Sequence, residues 1–489
     1  FTTLCICICS NSLSCSQEKA VGIFDADSGS GSNSPKKGHA IYNTDRQEYQ
    51  MAGSDEFHYL RKKIKGNFIL QATGEFSDRG IEHLKAGWMV RPSLDAGSTH
   101  VSAVVNGKDL SSLQYTQPAG TGVAEKKSQI TLPDIIQLER RGNKFIMSVA
   151  KFGDPFQTVE TAEVDLDEDV YVGLFLQSTN KDSLVAANFY NVRVIIPAKE
   201  NFSAYRDYIG SFIELMDVET GKRELVYTSP KSLQAPNWTP DNKSLIYNSE
   251  GLIYKFDLKT KTPSVLNTDF VKENNNDHVI SFDGKMLGLS SASADPKYGS
   301  IIYTVPITGG KPKQITPVGP SYLHGWSPDG KWLTYTGERN GEFDIYKIPS
   351  TGGEEIRLTT AKGLDDGSEY SPDGKYIYFN SVRSGKMQIW RMKPNGTDQE
   401  QLTDDEYNNW FPHISPDGKH LVMLSFMKDV DPSDHPFYRH VYLRLMPVDG
   451  GKPKVIAYLY GGQGSINTPS WSPDSKKIAF VSNSDLSEM

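Results

Sequence analysis

The chain has 489 residues, with 52 Lys and Arg against 60 Asp and Glu and a formal charge of −8; this mild acidity excludes a dedicated nucleic-acid binder. With 37% hydrophobic and 23% charged residues, and 42 Gly and 27 Pro spread along the chain, the composition is globular rather than disordered. Aromatic content of 11%, including 24 Tyr, favours β-structure over helix, and the length allows more than one domain.

Cys5, Cys7, Cys9 and Cys15 all fall near the start of the chain, so its body holds neither a disulfide framework nor a cysteine-based zinc site or thiol nucleophile. The stretch FTTLCICICSNSLSCS reads as part of an export signal, residues 1–16, entered at Phe1. Ser12-Leu13-Ser14-Cys15 resembles a lipoprotein box with Ser12 in place of the usual Leu. The alternatives are a lipid anchor at Cys15, the one membrane attachment expected, or ordinary cleavage after Ser14 or Ser16. Localisation is accordingly periplasmic or outer-membrane lipoprotein. Residues 17–39, including SGSGSNSPKKG, read as a flexible lead-in. Asp25 and Asp27 lack the closing Glu of a calcium loop and are read as solvated.

Residues 40–197 carry short runs with strand character, at 67–76, 86–94, 99–107, 134–150, 170–178 and 185–196. Arg141-Gly142-Asn143 makes the fourth a hairpin. Turn signals between these runs predict a jelly-roll-like two-sheet sandwich. Residues 198–204 are the linker.

From 205 to 489 the sequence repeats. NWTPDNKSLIY, VISFDGKMLGL, GWSPDGKWLTY, EYSPDGKYIYF, HISPDGKHLVM and SWSPDSKKIAF align without gaps from residues 237, 279, 325, 369, 413 and 470, at intervals of 42, 46, 44, 44 and 57. All six have Asp (241, 283, 329, 373, 417, 474) and a Lys two residues later; five have Pro before the Asp and the sixth has Phe282. Pro-Asp-Gly-Lys is turn chemistry between alternating apolar runs, so each copy is a β-hairpin. Further runs such as IIYTVPI and KQIT supply third and fourth strands to the first five copies. The sixth lacks them, and the orphan pair FIELMDVETGKRELVY at 212–227 completes it. The prediction is an all-β, six-bladed propeller with circular strand closure. Trp238, Trp326 and Trp471 share one register and are expected to pack between blades.

These SPDGK repeats resemble the propellers of TolB-family proteins; the Trp-Asp and Gly-His signals of WD40 blades are absent. The first half, through GWMVRPSLDAGSTHVS, QLERRGNKF, VYVGLFLQS and ANFYNVRV, is similar to concanavalin A-like sandwiches fused to such propellers. The resemblance implies an exported binding protein, with a carbohydrate or an envelope protein as partner. It also allows a TolB-type scaffold, or an oligouronide lyase of the propeller type that holds a divalent metal through His residues; no cofactor is otherwise expected.

The loops entering the innermost strands converge on one channel mouth and are strongly polar in four copies. The candidates are Asn276, Asp277, His278, Tyr322, His324, Asp365, Asp366, Glu369, Asn409, Trp410 and His413. His278, His324 and His413 either cap inner strands by bonding neighbouring carbonyls, which is the favoured expectation, or hold a metal or serve a sugar-binding mouth. The 57-residue interval reflects an insertion, DVDPSDHPFYRH, read as a surface excursion in preference to a cover over the mouth. On the sandwich, Trp88, Arg91, Asp95 and His100 match the residue types of sugar-binding faces, with core favoured for Trp88. No GxSxG, P-loop or dinucleotide fingerprint occurs, which leaves acyl and phosphoryl transfer without support.

Overall fold

The computed structural model describes residues 20–28, 39–53, 57–77, 81–95, 97–116, 122–161, 163–180, 182–203 and 205–488. The export-signal reading and all four cysteines lie outside these residues, as does most of the lead-in.

Two seven-stranded antiparallel sheets form the N-terminal sandwich. One runs, edge to edge, through Ala26–Ser28, His58–Lys65, Asp169–Ser178, Leu84–Arg91, Val101–Asn106, Leu110–Thr116 and Val123–Thr131; the other through Gln157–Glu160, Lys144–Ala150, Ile135–Arg141, Phe68–Phe76, Val185–Ile195, Glu48–Gly53 and His39–Asn43. Alternation with period two points Leu84, Ala86, Trp88 and Val90 inward, where they meet Leu70, Phe145 and Phe189. Trp88 is core, as expected, and its indole N–H donates to the Ile136 carbonyl at 3.3 Å. Residues 20–28 differ from the expected lead-in. Phe24 is buried in the sandwich core and Ala26–Ser28 pairs with Tyr59–Arg61. Asp27 is not solvated but ion-pairs with the buried His58 at 2.8 Å.

The propeller has six blades of antiparallel strands. Blades 1 to 5 begin with the inner strands Gln234–Trp238, Asn274–Ile280, Ser321–Trp326, Asp365–Tyr370 and Asn408–Ile414, and each adds three strands outward. Blade 6 closes the ring. Lys477–Ser484 pairs with Gly210–Asp217 over eight residues, and Gly210–Asp217 pairs in turn with Arg223–Ser229. Its innermost position is held by a single bridge from Trp471 to Ile478. Outer strands at Lys313–Gln314, Ile356–Arg357 and Glu400–Gln401 are only two residues long and, apart from the half-buried Gln401, exposed, which limits edge-to-edge association. The Thr that ends each run ties it inward: Thr316, Thr359 and Thr403 accept from the backbone N–H of Ile302, Ile345 and Ile389.

The repeated Asp has one local job, seen six times. In blade 3 the Ser327 hydroxyl donates to Asp329 at 2.6 Å, the Asp accepts the Lys331 backbone N–H at 3.1 Å, and Ser327 accepts the Trp332 N–H at 2.9 Å. Thr239, Ser281, Ser371, Ser415 and Ser472 repeat this pattern. These bonds to the charged form hold Asp329 below its ordinary value, and the Lys375 ammonium together with the same bonds holds Asp373 at about 2.

The sandwich is fastened to the propeller. A bulge between Tyr190 and Arg193, with Asn191 at φ 53°, brings Arg193 to Glu214 at 2.5 Å and Asn191 to the Gly221 carbonyl at 2.9 Å. Arg223 also binds Glu214, at 2.5 Å. Burial alone would raise Glu214, but the two guanidinium groups hold it down at about 2. Elsewhere Tyr442 and Tyr458 of blade 5 bond the backbone at Phe156 and Asp154.

Candidate functional site

Each inner strand of blades 1 to 5 breaks register just before its turn, at Gln234/Asn237, Asn274/His278, Leu323/Gly325, Asp366/Glu369 and Trp410/His413. Such bulges free side chains from the sheet alternation. At three of these breaks the residue five before the turn Pro is left-handed: Ala235 (φ 55°), Gly367 (φ 64°) and Phe411 (φ 52°).

At the mouth opposite the SPDGK turns lies a cavity of about 640 Å³. Of the eleven sequence candidates, Asn276, Asp277, Tyr322, His324 and Asp366 line it. The other six candidates are placed differently. His278 is fully buried against the Ile246 carbonyl at 3.2 Å, and burial pulls it down to about 4, so it is a neutral strand cap. His413 sits between the Glu369 carboxylate at 2.7 Å and the Ile466 carbonyl at 2.6 Å. Glu369 also accepts the Ile414 N–H at 3.0 Å, stitching blade 4 to blade 5. Asn237 stitches blades 1 and 2 from the same register, through the Ile280 N–H at 2.9 Å. Asp365 pairs with Arg383 at 2.7 Å, and Asn409 sits in a buried network with Arg444 and Ser425. Trp410 is core, edge-on to the His435 ring at 4.5 Å. Capping is therefore what His278 and His413 do. Among the described residues no group of three or more His, Cys, Asp or Glu could hold a metal ion.

Electrostatics in the cavity centre on three groups. Thr336 and the Gly367 N–H donate to Asp366, and His324 pairs with it at 2.9 Å. Burial disfavours both charges, yet the pair wins: Asp366 is held at about 2 and His324 is raised. Asp277 differs. Its carboxyl makes no hydrogen bond or ion pair among the described residues, and burial, opposed by His324 and reinforced by Asp366, raises it to about 7. Tyr322 is pushed up to about 12, chiefly by burial.

The sequence reading missed Tyr205, Phe411, His435 and Gln463 as lining residues. For His435 a signal existed, the long fifth interval: the insertion covers the mouth, with Ser433, Asp434 and His435 lining the cavity, and is not a plain surface excursion. Tyr205 comes from a segment outside the repeat register and had no signal.

Two other cavities lie away from the mouth. Trp326 and Trp471 donate to carbonyls of the preceding blade, at Val279 (2.9 Å) and His413 (3.0 Å), as inter-blade packing requires. With Trp238, Tyr370 and several turn prolines they also line an apolar cavity of about 230 Å³ at the turn end. A cleft of about 520 Å³ separates the sandwich from blade 5, with Gln137, Ser148 and Thr158 facing Tyr407 and Tyr442. Arg91, Asp95 and His100 lie apart from it; Ser93 bonds Asp95 at 2.9 Å and His100 meets Thr116 at 3.3 Å.

Residues 319–434 match the model of the TolB beta propeller domain family, PD40. An uncharacterized protein of Agrobacterium fabrum is 46% identical over 272 residues, which are 55% of this chain and 92% of that protein. A solved structure described as a candidate TolB from Agrobacterium tumefaciens is 45% identical, covering 57% of this chain and 99% of that one with a TM-score of 0.54. The crystal structure of TolB from Acinetobacter baumannii is 19% identical, covering 67% of this chain and 79% of that one with a TM-score of 0.41. The blades, their turns and the match over nearly the whole of the Agrobacterium relative make this chain a member of the TolB-like β-propeller family.

Proposed function

We propose that this is an exported binding protein and that its ligand, a carbohydrate, seats in the polar mouth of the propeller. One observation carries the reading: aromatic faces from Tyr205, Tyr322 and Phe411 surround amides and carboxyls in a single cavity. Apolar rings beside convergent hydrogen-bonding groups suit the two faces of a sugar ring. The test is a glycan array probed with the full chain. Binding to neutral or amino oligosaccharides that Tyr322→Ala abolishes supports the proposal; no glycan bound, or binding indifferent to that change, overturns it.

A protein-interaction scaffold is the second reading, favoured by the identity to the relative described as TolB. An oligouronide lyase fits less well. His278 and His413 are spent on strand contacts outside the cavity, and no Lys or Arg appears among the described residues lining it to meet a uronate.

A further inference from the structure

The mouth cavity does not end at its rim. A second hollow of about 490 Å³ opens beside it over blades 1 and 2, and the two share Tyr205, Asn275, Asn276 and Gln463 as walls. Together they form one groove long enough to hold a chain-like ligand rather than a single ring.

Among the described residues lining this groove are unfilled buried acceptors, beside one unpartnered ring nitrogen, His435 Nδ1. Asn248 Oδ1 and Asn274 Oδ1 are buried and unpartnered. Their orientation is fixed by the other end of each amide. The Asn248 Nδ2 donates to the Asn274 carbonyl at 3.2 Å, and the Asn274 Nδ2 donates to the Gly251 carbonyl at 2.7 Å. Asp277 adds a carboxyl, 6% exposed, with no partner among the described residues. The Lys231 ammonium is already held by Glu250 at 2.5 Å, and the Gln234 amide donates to the Ser232 hydroxyl at 2.9 Å. Glu273 and Asp434 add exposed carboxylates at the rim. A groove of unfilled acceptors and carboxylates needs a ligand that brings donors and positive charge. Tyr208 and Phe437, packed edge to face at 5.6 Å, offer aromatic surface along the same path.

We infer that the groove recognises protonated primary amines spaced along an extended ligand, with Asp277, Asn248 and Asn274 as their acceptors. The inference rests on the carbohydrate reading of the mouth and narrows it to amino sugar oligomers. A free linear polyamine carries the same chemistry.

The test is isothermal titration of the full chain at neutral pH with tetraglucosamine, its fully N-acetylated counterpart, and spermidine. Tetraglucosamine binding at least tenfold tighter than the acetylated tetramer is expected, with a tenfold loss in Asp277→Asn. The surface pair Glu273→Gln and Asp434→Asn, which breaks no buried contact, should cost at least threefold for the amine ligand and leave the acetylated one unchanged. Equal or tighter binding of the acetylated tetramer overturns the amine inference and leaves the sugar mouth standing. Spermidine binding while neither sugar binds upholds amine recognition and overturns the carbohydrate reading. No binding of any of the three overturns both.

Discussion

Asp277 is buried, has no hydrogen-bond or ion-pair partner for its carboxyl among the described residues, and feels the charges of the His324–Asp366 pair, a costly state that packing does not explain. Its folded value of about 7 lies above its ordinary 3.8, so the folded protein holds this proton more tightly than the unfolded chain does. Stability from this group is complete below the lower value and is lost as pH rises toward the upper one. Asp277→Asn should therefore stabilise the protein by a few kcal/mol at about pH 8 and by clearly less at about pH 5, read from urea melts. An equal effect at both pH values would mean that the carboxyl is not the source. At the turns, Ser327→Ala removes a hydroxyl that both donates to Asp329 and accepts from Trp332. It should cost about 1–2 kcal/mol, whereas Lys331→Ala, losing only an exposed ion pair, should cost less than about 0.5 kcal/mol. The six invariant Lys residues thus matter mainly through a backbone N–H that any residue but Pro supplies.

The blades were legible because one hairpin, repeated, states its period, its turn and its apolar alternation together. The displaced pair at 212–227 could be assigned to blade 6 because the sixth copy ended short. Half of the sandwich strands were not legible: Val123–Thr131, for example, is AEKKSQ-rich and exposed on its edge, and carries no alternation to detect. At the site, five of eleven candidates reached the cavity. The others lie elsewhere: His278, Glu369 and His413 follow a register break, a backbone event that residue type alone does not announce, and Asp365, Asn409 and Trp410 sit in the regular ladder before one. Glu369 and Asn237 show the consequence, since the same register that could face a ligand instead stitches adjacent blades. Closure itself is testable at this scale. A chain lacking residues 477–489 leaves Gly210–Asp217 as a bare edge, and should elute as oligomers or aggregate in size-exclusion chromatography; a stable monomer would refute ring closure through that strand.

Arg193, Glu214 and Arg223 tie the sandwich to the last blade, so the two halves are expected to unfold together. Glu214 is depressed to about 2 from 4.5, so its contribution is present above the higher value and is lost as pH falls toward the lower one. Glu214→Gln strands two buried guanidinium groups and should cost about 3–5 kcal/mol at neutral pH while flattening the acid limb of the stability curve. Two separate melting transitions in the wild type would show that the interface does not couple the halves. Whether the propeller mouth is the ligand site is decided by a crystal structure of the full chain soaked with the glycan selected on the array. Density is expected against Tyr322 and Phe411, with a polar group of the ligand within hydrogen-bond reach of Asp277; density confined to the sandwich, or none in the mouth, would rule the mouth out as the ligand site.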